Sequence, residues 1–450
     1  MKAHARYYKR LHRNNYHVMN TKKIFAALLF AVAGINLYAQ SGTNSPYSQY
    51  GLGYLSEQTS GFNRGMNGLA LGFREHNQVN YLNPASYSAI DSLSFIFDAG
   101  MSLQMTNFTE GSKKINANNG DLDYLVAGFR AAKHVGVSFG IIPLTNVGYN
   151  YEVTSRVPDG GAQTYTNAYS GTGGLRQVYL GAGWEPIRNF SLGANISYLW
   201  GDYERSLINS YSETTTNTIG KYYSADVSGY KIDLGAQYTY HLTAKDALTA
   251  GLTFSLGHKL GADAQCRVIT TNPQTTVSDT ITHTINNALE LPTSFGLGLT
   301  WVRQNRLKVG LDYSLQRWGS LKFPLYTTEN NIGTYTLRDN QFSDRHKITL
   351  GGEFCPQETG RKFFQRIHYR AGVSYATPYL KINGMDGPSE MSASLGLGVP
   401  IVNGYNNRSI FNISVQYARF AADNLIKENT FRINIGLTFN ERWFAKWKVE

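Results

Sequence analysis

Long apolar runs are what this chain most lacks. Beyond residue 39 nothing approaches the ~18 consecutive apolar residues of a spanning helix, and charged residues are only 16% of the 450. Cysteine is nearly absent as well. Cys266 and Cys355 are the two present, far apart and without a neighbouring Cys or His pair. A disulfide framework and a thiolate metal site are therefore excluded, and each reads as an isolated thiol. The seven histidines after residue 39 are His76, His134, His241, His258, His283, His346 and His368. None stands in a zinc-ligand spacing, and no nucleophile elbow or phosphate-binding loop followed by Lys occurs. No enzyme, metal or cofactor is expected. His258 and His283, on the external half of their strands, are the nearest approach to catalytic candidates, and a solvated or interfacial role suffices for both.

Acidic residues are missing from the first 39 positions, and this explains the net charge. Lys2, Arg6, Lys9, Arg10, Arg13, Lys22 and Lys23 lie there, which leaves +4 of the formal +11 for the remainder. So small an excess needs no nucleic-acid partner. Met19 to Lys23 form a basic head, Ile24 to Leu37 an apolar segment, and Leu37-Tyr38-Ala39 a small-residue cleavage site before Gln40. Residues 1–39 thus read as a Sec-type signal region with its true start at Met19.

What is abundant is glycine, 45 residues, and tyrosine, 31. Residues 40–90 are rich in Gly, Asn and Ser and show no period of their own. A stretch this long is either disordered or held by a container. From Leu93 onward the period is two. Phe431, Ile433, Ile435, Leu437 and Phe439 alternate with Arg432, Asn434, Gly436, Thr438 and Asn440. Side chains on a strand alternate faces, so one face is apolar and the other polar. Such runs predict strands near 93–106, 121–132, 134–154, 171–185, 190–206, 223–241 and 246–268. Seven more follow near 290–303, 306–321, 343–355, 365–380, 390–401, 408–421 and 430–444.

Fourteen is even, as a single-chain bacterial barrel requires, and the connections alternate as well. After even strands they are short, as at Lys133 and Arg303 to Arg306. After odd ones they are long: 107–120, 155–170 and 269–289. A soluble sandwich would not carry Lys231, Asp233, Lys308, Asp312 and Arg432 on the faces opposite its apolar ones. Closure satisfies every backbone group, as a bilayer demands. The fold class is therefore all-β, a fourteen-stranded antiparallel transmembrane barrel over 91–444 with residues 40–90 as a plug in the lumen. Residues 445–450 form a periplasmic tail. Trp184, Trp200, Trp301, Trp318, Trp443 and Phe444 are expected in interfacial girdles.

Two local features bear on function. Gly61, Gly65 and Gly68 space the segment Gly61-Phe62-Asn63-Arg64-Gly65-Met66-Asn67-Gly68, and Asn83-Pro84-Ala85 ends the plug just before the first strand. Pro143 and Gly148 interrupt the third strand, where proline cannot donate to the ladder and glycine tolerates a bend. On these residues the chain resembles the FadL-type outer-membrane transporters of long-chain fatty acids and other hydrophobic compounds. The resemblance implies a hatch held at Asn83, Pro84 and Ala85, and a kink at Pro143 and Gly148 that opens the wall sideways. The plainer reading of the kink stays open: Pro143 ends the membrane part and Gly148 lies in an external extension.

The expected function is passive uptake of a hydrophobic small molecule, with hatch-gated release sideways into the outer membrane of a Gram-negative bacterium. Phe108, Tyr326, Tyr335 and Phe342 on the external loops are available to collect it. The expected partners are the bilayer and that ligand. The alternative is a non-transport barrel of the same superfamily, docking the proteins of a type IX-like secretion system.

Overall fold

The computed structural model of the protein describes residues 42–158, 162–213, 215–330, 332–401 and 409–441. The signal region, Trp443, Phe444 and the tail lie outside the described residues. Fourteen strands cross in sequence. They are β1 (Phe95–Glu110), β2 (Lys113–Ala132), β3 (Val135–Pro143 with Thr145–Arg156), β4 (Thr164–Ile187), β5 (Phe190–Tyr211), β6 (Thr218–His241) and β7 (Asp246–Ser255 with Gly261–Thr271). Then come β8 (Ser278–Ile285 with Ser294–Arg303), β9 (Leu307–Gln316), β10 (Arg345–Phe354), β11 (His368–Ala376), β12 (Ser389–Ile401), β13 (Ser409–Ala421) and β14 (Lys427–Glu441). Each pairs antiparallel with the next, and β1 closes on β14 from Phe95↔Glu441 to Thr109↔Lys427.

Burial inverts the soluble pattern, because lipid lies outside and the plug inside. Leu395 is 69% exposed while its neighbour Ser394 is 3% exposed, and Asn434, Thr438 and Asn440 are buried in the lumen. No helix among the described residues is long and apolar enough to cross a membrane. The apolar band is carried by strands alone, as in an outer-membrane barrel. On the periplasmic side His134, Asn189, Gln304 and Asn305 adopt positive φ, which closes the short turns after β2, β4 and β8.

The strands run longer than alternation alone indicates. The expected loop 107–120 is strand on both sides of a turn at Gly111–Ser112, and β4 and β6 each reach 24 residues. Crossing needs only ~9–11 residues. Outside the membrane both faces meet water, so a continuing ladder no longer shows in the apolar pattern. The wall stands tall over β2 to β8 and low over β9 to β11. Inside it, residues 42–94 form the hatch. Its elements are a 3-10 turn Pro46–Gln49, a two-residue strand Tyr54–Leu55, a helical turn Gly61–Arg64 and a 3-10 turn Pro84–Ala89.

Candidate functional site

Glycines on the inner wall let the hatch backbone approach the strands directly. A Cβ added at Gly251 would meet the Leu71 carbonyl, one at Gly183 or Gly193 the Pro84 backbone, and one at Gly372 the Met66 carbonyl. The hatch glycines are used in the same way. Gly65 faces Gly396, where an added Cβ would come within 2.6 Å of the Gly65 Cα, and Gly61 faces Gly436. Gly68 has a different duty. Its φ of +89°, in the turn that follows the helical one, is a conformation that favours glycine. Asn83 caps the 3-10 turn, accepting from the Ala85 amide and donating to the Leu71 carbonyl at 2.9 Å. Pro84 rests on Gly183, Gly193 and Gly235, so the Asn-Pro-Ala turn is seated on β4 to β6.

Charges then tie the hatch to the wall at well-separated points. Arg64 reaches Asp123 at 2.7 Å and the Asn434 amide oxygen at 3.0 Å. Arg74 pairs with Glu185 at 2.6 Å, and Glu75 with Lys308 at 2.6 Å. Lys308 also reaches Glu353, which in turn accepts from Arg370. The Asp312 carboxylate accepts the Ala70 and Leu71 amides at 2.7 and 2.8 Å. Glu57 accepts from Gln416 at 2.8 Å and lies 3.5 Å from Arg432. Burial pushes the Glu57 carboxyl up, but Arg432, Arg64, Lys347 and the Gln416 amide outweigh it and hold it at about 2. Burial works against the Arg64 cation too, yet Asp123 and Glu57 leave its pKa raised. A depressed carboxyl contributes stability above its ordinary pKa and loses it as pH falls through the folded value. Pepsin cleavage of the hatch is therefore expected to be slow at pH 4 and to accelerate toward pH 2. A flat profile over that window would reject the role of Glu57.

Strand β3 breaks at Leu144. Below the break it pairs with β2 as far as Leu125↔Ile141 and with β4 as far as Pro143↔Arg176. Above it the β4 ladder resumes at Val147↔Gly173, so three β3 residues, Leu144 to Asn146, stand opposite two of β4, Gly174 and Leu175, with Gly173 and Gly174 at positive φ. Such a bulge bends the strand. The β2 ladder does not resume: among the described residues Lys113–Tyr124 pair only with β1. The hatch occupies the edge that β3 has lost. Tyr54 pairs with Asn146 and Leu55 with Thr145, the Ser56 amide donates to the Leu144 carbonyl at 3.0 Å, and Gln58 donates to the Pro143 carbonyl at 3.2 Å. Gly148 lies in the regular extended segment, its amide donating to the Ser48 hydroxyl at 3.1 Å. Pro143 and Gly148 thus meet the early hatch, Ser48 to Gln58, and not the Asn-Pro-Ala turn.

A chamber of about 340 Å³ lies between hatch and wall and reaches this break at Pro143, Leu144 and Asn146. Leu55, Leu256, Leu291, Trp318 and Phe420 supply its apolar surface. Its charged lining comprises six carboxylates, Glu57, Asp121, Asp123, Asp233, Asp312 and Glu390, against Lys231, Arg345, Lys347 and Arg432. Above it the lumen is capped. Gly51 and Leu52 lie under Phe342 and Leu380, and Trp318 packs on Phe342 and Tyr379 at 5.6 and 5.2 Å. Trp318 is therefore no girdle residue, and Tyr335 and Phe342 are buried instead of free on loops. His258 stacks on Tyr230 and His283 leans on Tyr326, while Cys266 and Cys355 are free and buried.

The residues that alternation could not single out are Tyr54, Leu55, Arg64 and Asp123, while it puts Asp312 on the inner face without its hatch partners. One weak signal exists. Arg64 is the only charge in a ten-residue Gly/Asn segment from Gly61 to Ala70, and a lone cation in a plug needs a buried anion.

A family model described as BamG matches residues 20–450. No curated protein matches the chain in sequence. Solved structures match in fold. The Pseudomonas putida toluene transporter TodX is 14% identical with a TM-score of 0.59, covering 88% of this chain and 99% of that one. The Ralstonia pickettii toluene transporter TbuX is 14% identical with a TM-score of 0.57, covering 85% and 98%. A Pseudomonas aeruginosa FadL homologue is 11% identical with a TM-score of 0.57, covering 87% and 99%. The fold is thus FadL-type.

Proposed function

The chain belongs to the BamG family, and from the FadL-type wall it carries we propose an outer-membrane channel for small, uncharged, predominantly apolar molecules. The single observation behind this reading is the break in β3, which the inner chamber reaches and only a short hatch segment closes. A sideways route suits an apolar solute because it ends in hydrocarbon and never crosses the periplasm. It also leaves most of the hatch in place, where backbone contacts and ion pairs hold it. The gate is then the stopper at the break, Tyr54 to Gln58, reinforced by Gly42, whose carbonyl accepts from Gln104 at 2.8 Å. A two-residue strand is the least stable kind of sheet addition, so it is the part of the hatch best able to move.

Lys231, Arg345 and Arg432 in the chamber are already paired with Asp233, Glu390 and Glu57, which offers a fatty-acid head group little to bind and favours a neutral compound, such as an aromatic hydrocarbon. Export by the signal of residues 1–39, with cleavage after Ala39, and residence in a Gram-negative outer membrane belong to the same proposal.

The test locks the stopper. Residues opposite each other in an antiparallel pair lie ~4.5–5.5 Å apart at Cα, within disulfide range. Leu55→Cys with Thr145→Cys, in a background of Cys266→Ser and Cys355→Ser, joins hatch to β3. Oxidation is expected to lower toluene uptake by about tenfold or more, and reductant to restore it. Equal uptake by the oxidised and reduced forms would remove the gate from this position.

A further inference from the structure

The lipid face of the wall carries a depression that the proposed transport route does not use. Strand register brings Val309, Gly352, Ala371, Leu395 and Val415 into one row across β9 to β13. These positions point outward: Leu395 is 69% exposed and Val309 39%. Gly352 and Ala371, side by side in the middle of the row, have almost no side chain. A shallow, open apolar depression results, walled on its periplasmic side by Phe354 and Tyr369.

The turn joining β10 to β11 lies at the rim of this hollow. The Tyr369 hydroxyl donates to the Phe364 carbonyl at 3.2 Å. Because Tyr369 faces lipid, that bond folds the turn outward against the bilayer. Phe363 and Phe364 are exposed there, their rings 5.5 Å apart. Arg361 and Lys362 precede them and are exposed, and Arg366 follows, half-buried. None of these three cations is in an ion pair among the described residues, and the Arg366 Nε is buried without a hydrogen-bond partner among them.

We propose that this site holds one anionic glycerophospholipid of the inner leaflet, with an acyl chain in the hollow and the phosphate against Arg361, Lys362 and Arg366. The leaflet follows from topology, because the β10–β11 turn is on the same side as the short turns after β2, β4 and β8. Any acyl chain can fill an apolar hollow in a bilayer with no hydrophobic gain over bulk lipid. Selection therefore rests on the head group, where guanidinium and ammonium groups at the interface attract phosphate. Aromatic rings beside them anchor the turn at head-group depth.

The experiment is native mass spectrometry of the full-length protein, released from bilayers of equal phosphatidylglycerol and phosphatidylcholine with identical acyl chains. The expected result is one retained phosphatidylglycerol. Arg361→Ala, Lys362→Ala and Arg366→Ala together are expected to weaken that retention on the order of a hundredfold. This variant lies in a turn, so the barrel stays closed, which heat-modifiable gel migration verifies. Ala371→Leu, which fills the hollow, is expected to lower retention of both lipids. Equal retention of the two lipids by the unaltered protein overturns the proposal, as does an unchanged preference in the triple variant. Retention unaffected by Ala371→Leu overturns the placement of the acyl chain.

Discussion

Arg64→Ala is expected to unseat the hatch while leaving the barrel wall closed. The side chain is 3% exposed, and every polar atom of its fork is engaged. Beyond Asp123 and Asn434, its Nε donates to the Thr59 carbonyl at 3.0 Å and Nη2 to the Glu57 carbonyl at 3.2 Å. Truncation leaves the Asp123 carboxylate buried beside no cation of its own, and two hatch carbonyls without donors. Removing one partner of a buried ion pair costs about 3–5 kcal/mol, and orphaned acceptors add to that. The wall does not depend on this residue, since its ladder closes through β1 and β14. Limited proteolysis should therefore release hatch fragments from the variant while the barrel band survives intact. Arg64→Lys should recover part of the protection, because a point charge satisfies Asp123 but cannot reproduce the fork. Undiminished protection in Arg64→Ala would show that the glycine contacts alone hold the hatch.

Filling the inner glycines is expected to have the second large effect. At Gly251 the obstacle to a Cβ is the Leu71 carbonyl, and at Gly372 it is the Met66 backbone. Backbone cannot rotate away as a long side chain can, so the hatch must retreat. Overpacking of this kind costs about 1–3 kcal/mol per site. Gly251→Leu combined with Gly372→Leu strikes two sides of the lumen and should displace the hatch outright. Single-channel recordings in planar bilayers are expected to show a conductance several-fold above that of the unaltered protein. Ala250→Leu, one position away and facing lipid, should leave conductance unchanged. If the two glycine variants also leave it unchanged, the wall can bend enough to absorb them and the seating is looser than the contacts indicate.

The barrel was legible because its signal is local and repeated. Each pair such as Ser394 and Leu395 carries its own statement of inside and outside, and alternation needs no knowledge of distant residues. The reading faltered where that signal ends. Beyond the membrane both faces of a strand are polar, so the tall ladders of β4 to β6 look like loops in the sequence. Trp318 and Phe342 mislead for a related reason. An aromatic residue at a strand end reads as a girdle unless the fold returns a hairpin or the hatch to cover it. The glycine pattern was legible as closeness, though not as closeness to anything in particular: Gly181-Ala182-Gly183 and Gly296-Leu297-Gly298 point inward, and their partners there are Tyr87, Pro84, Leu71 and Gly72.

Strand count, closure and the presence of a plug follow from the sequence by itself, since period-two alternation and a long aperiodic segment are properties of neighbouring residues. The identity of the stopper does not. Residue 55 meets 145, residue 64 meets 123 and residue 57 meets 432 only once the sheet has closed around the hatch. Near Pro143 strand β3 loses its pairing with β2, but the edge so released is filled by Tyr54 and Leu55, well before the Asn-Pro-Ala turn that the sequence puts forward. A free edge accepts whichever backbone lies alongside it, and only the packed tertiary structure decides which one that is.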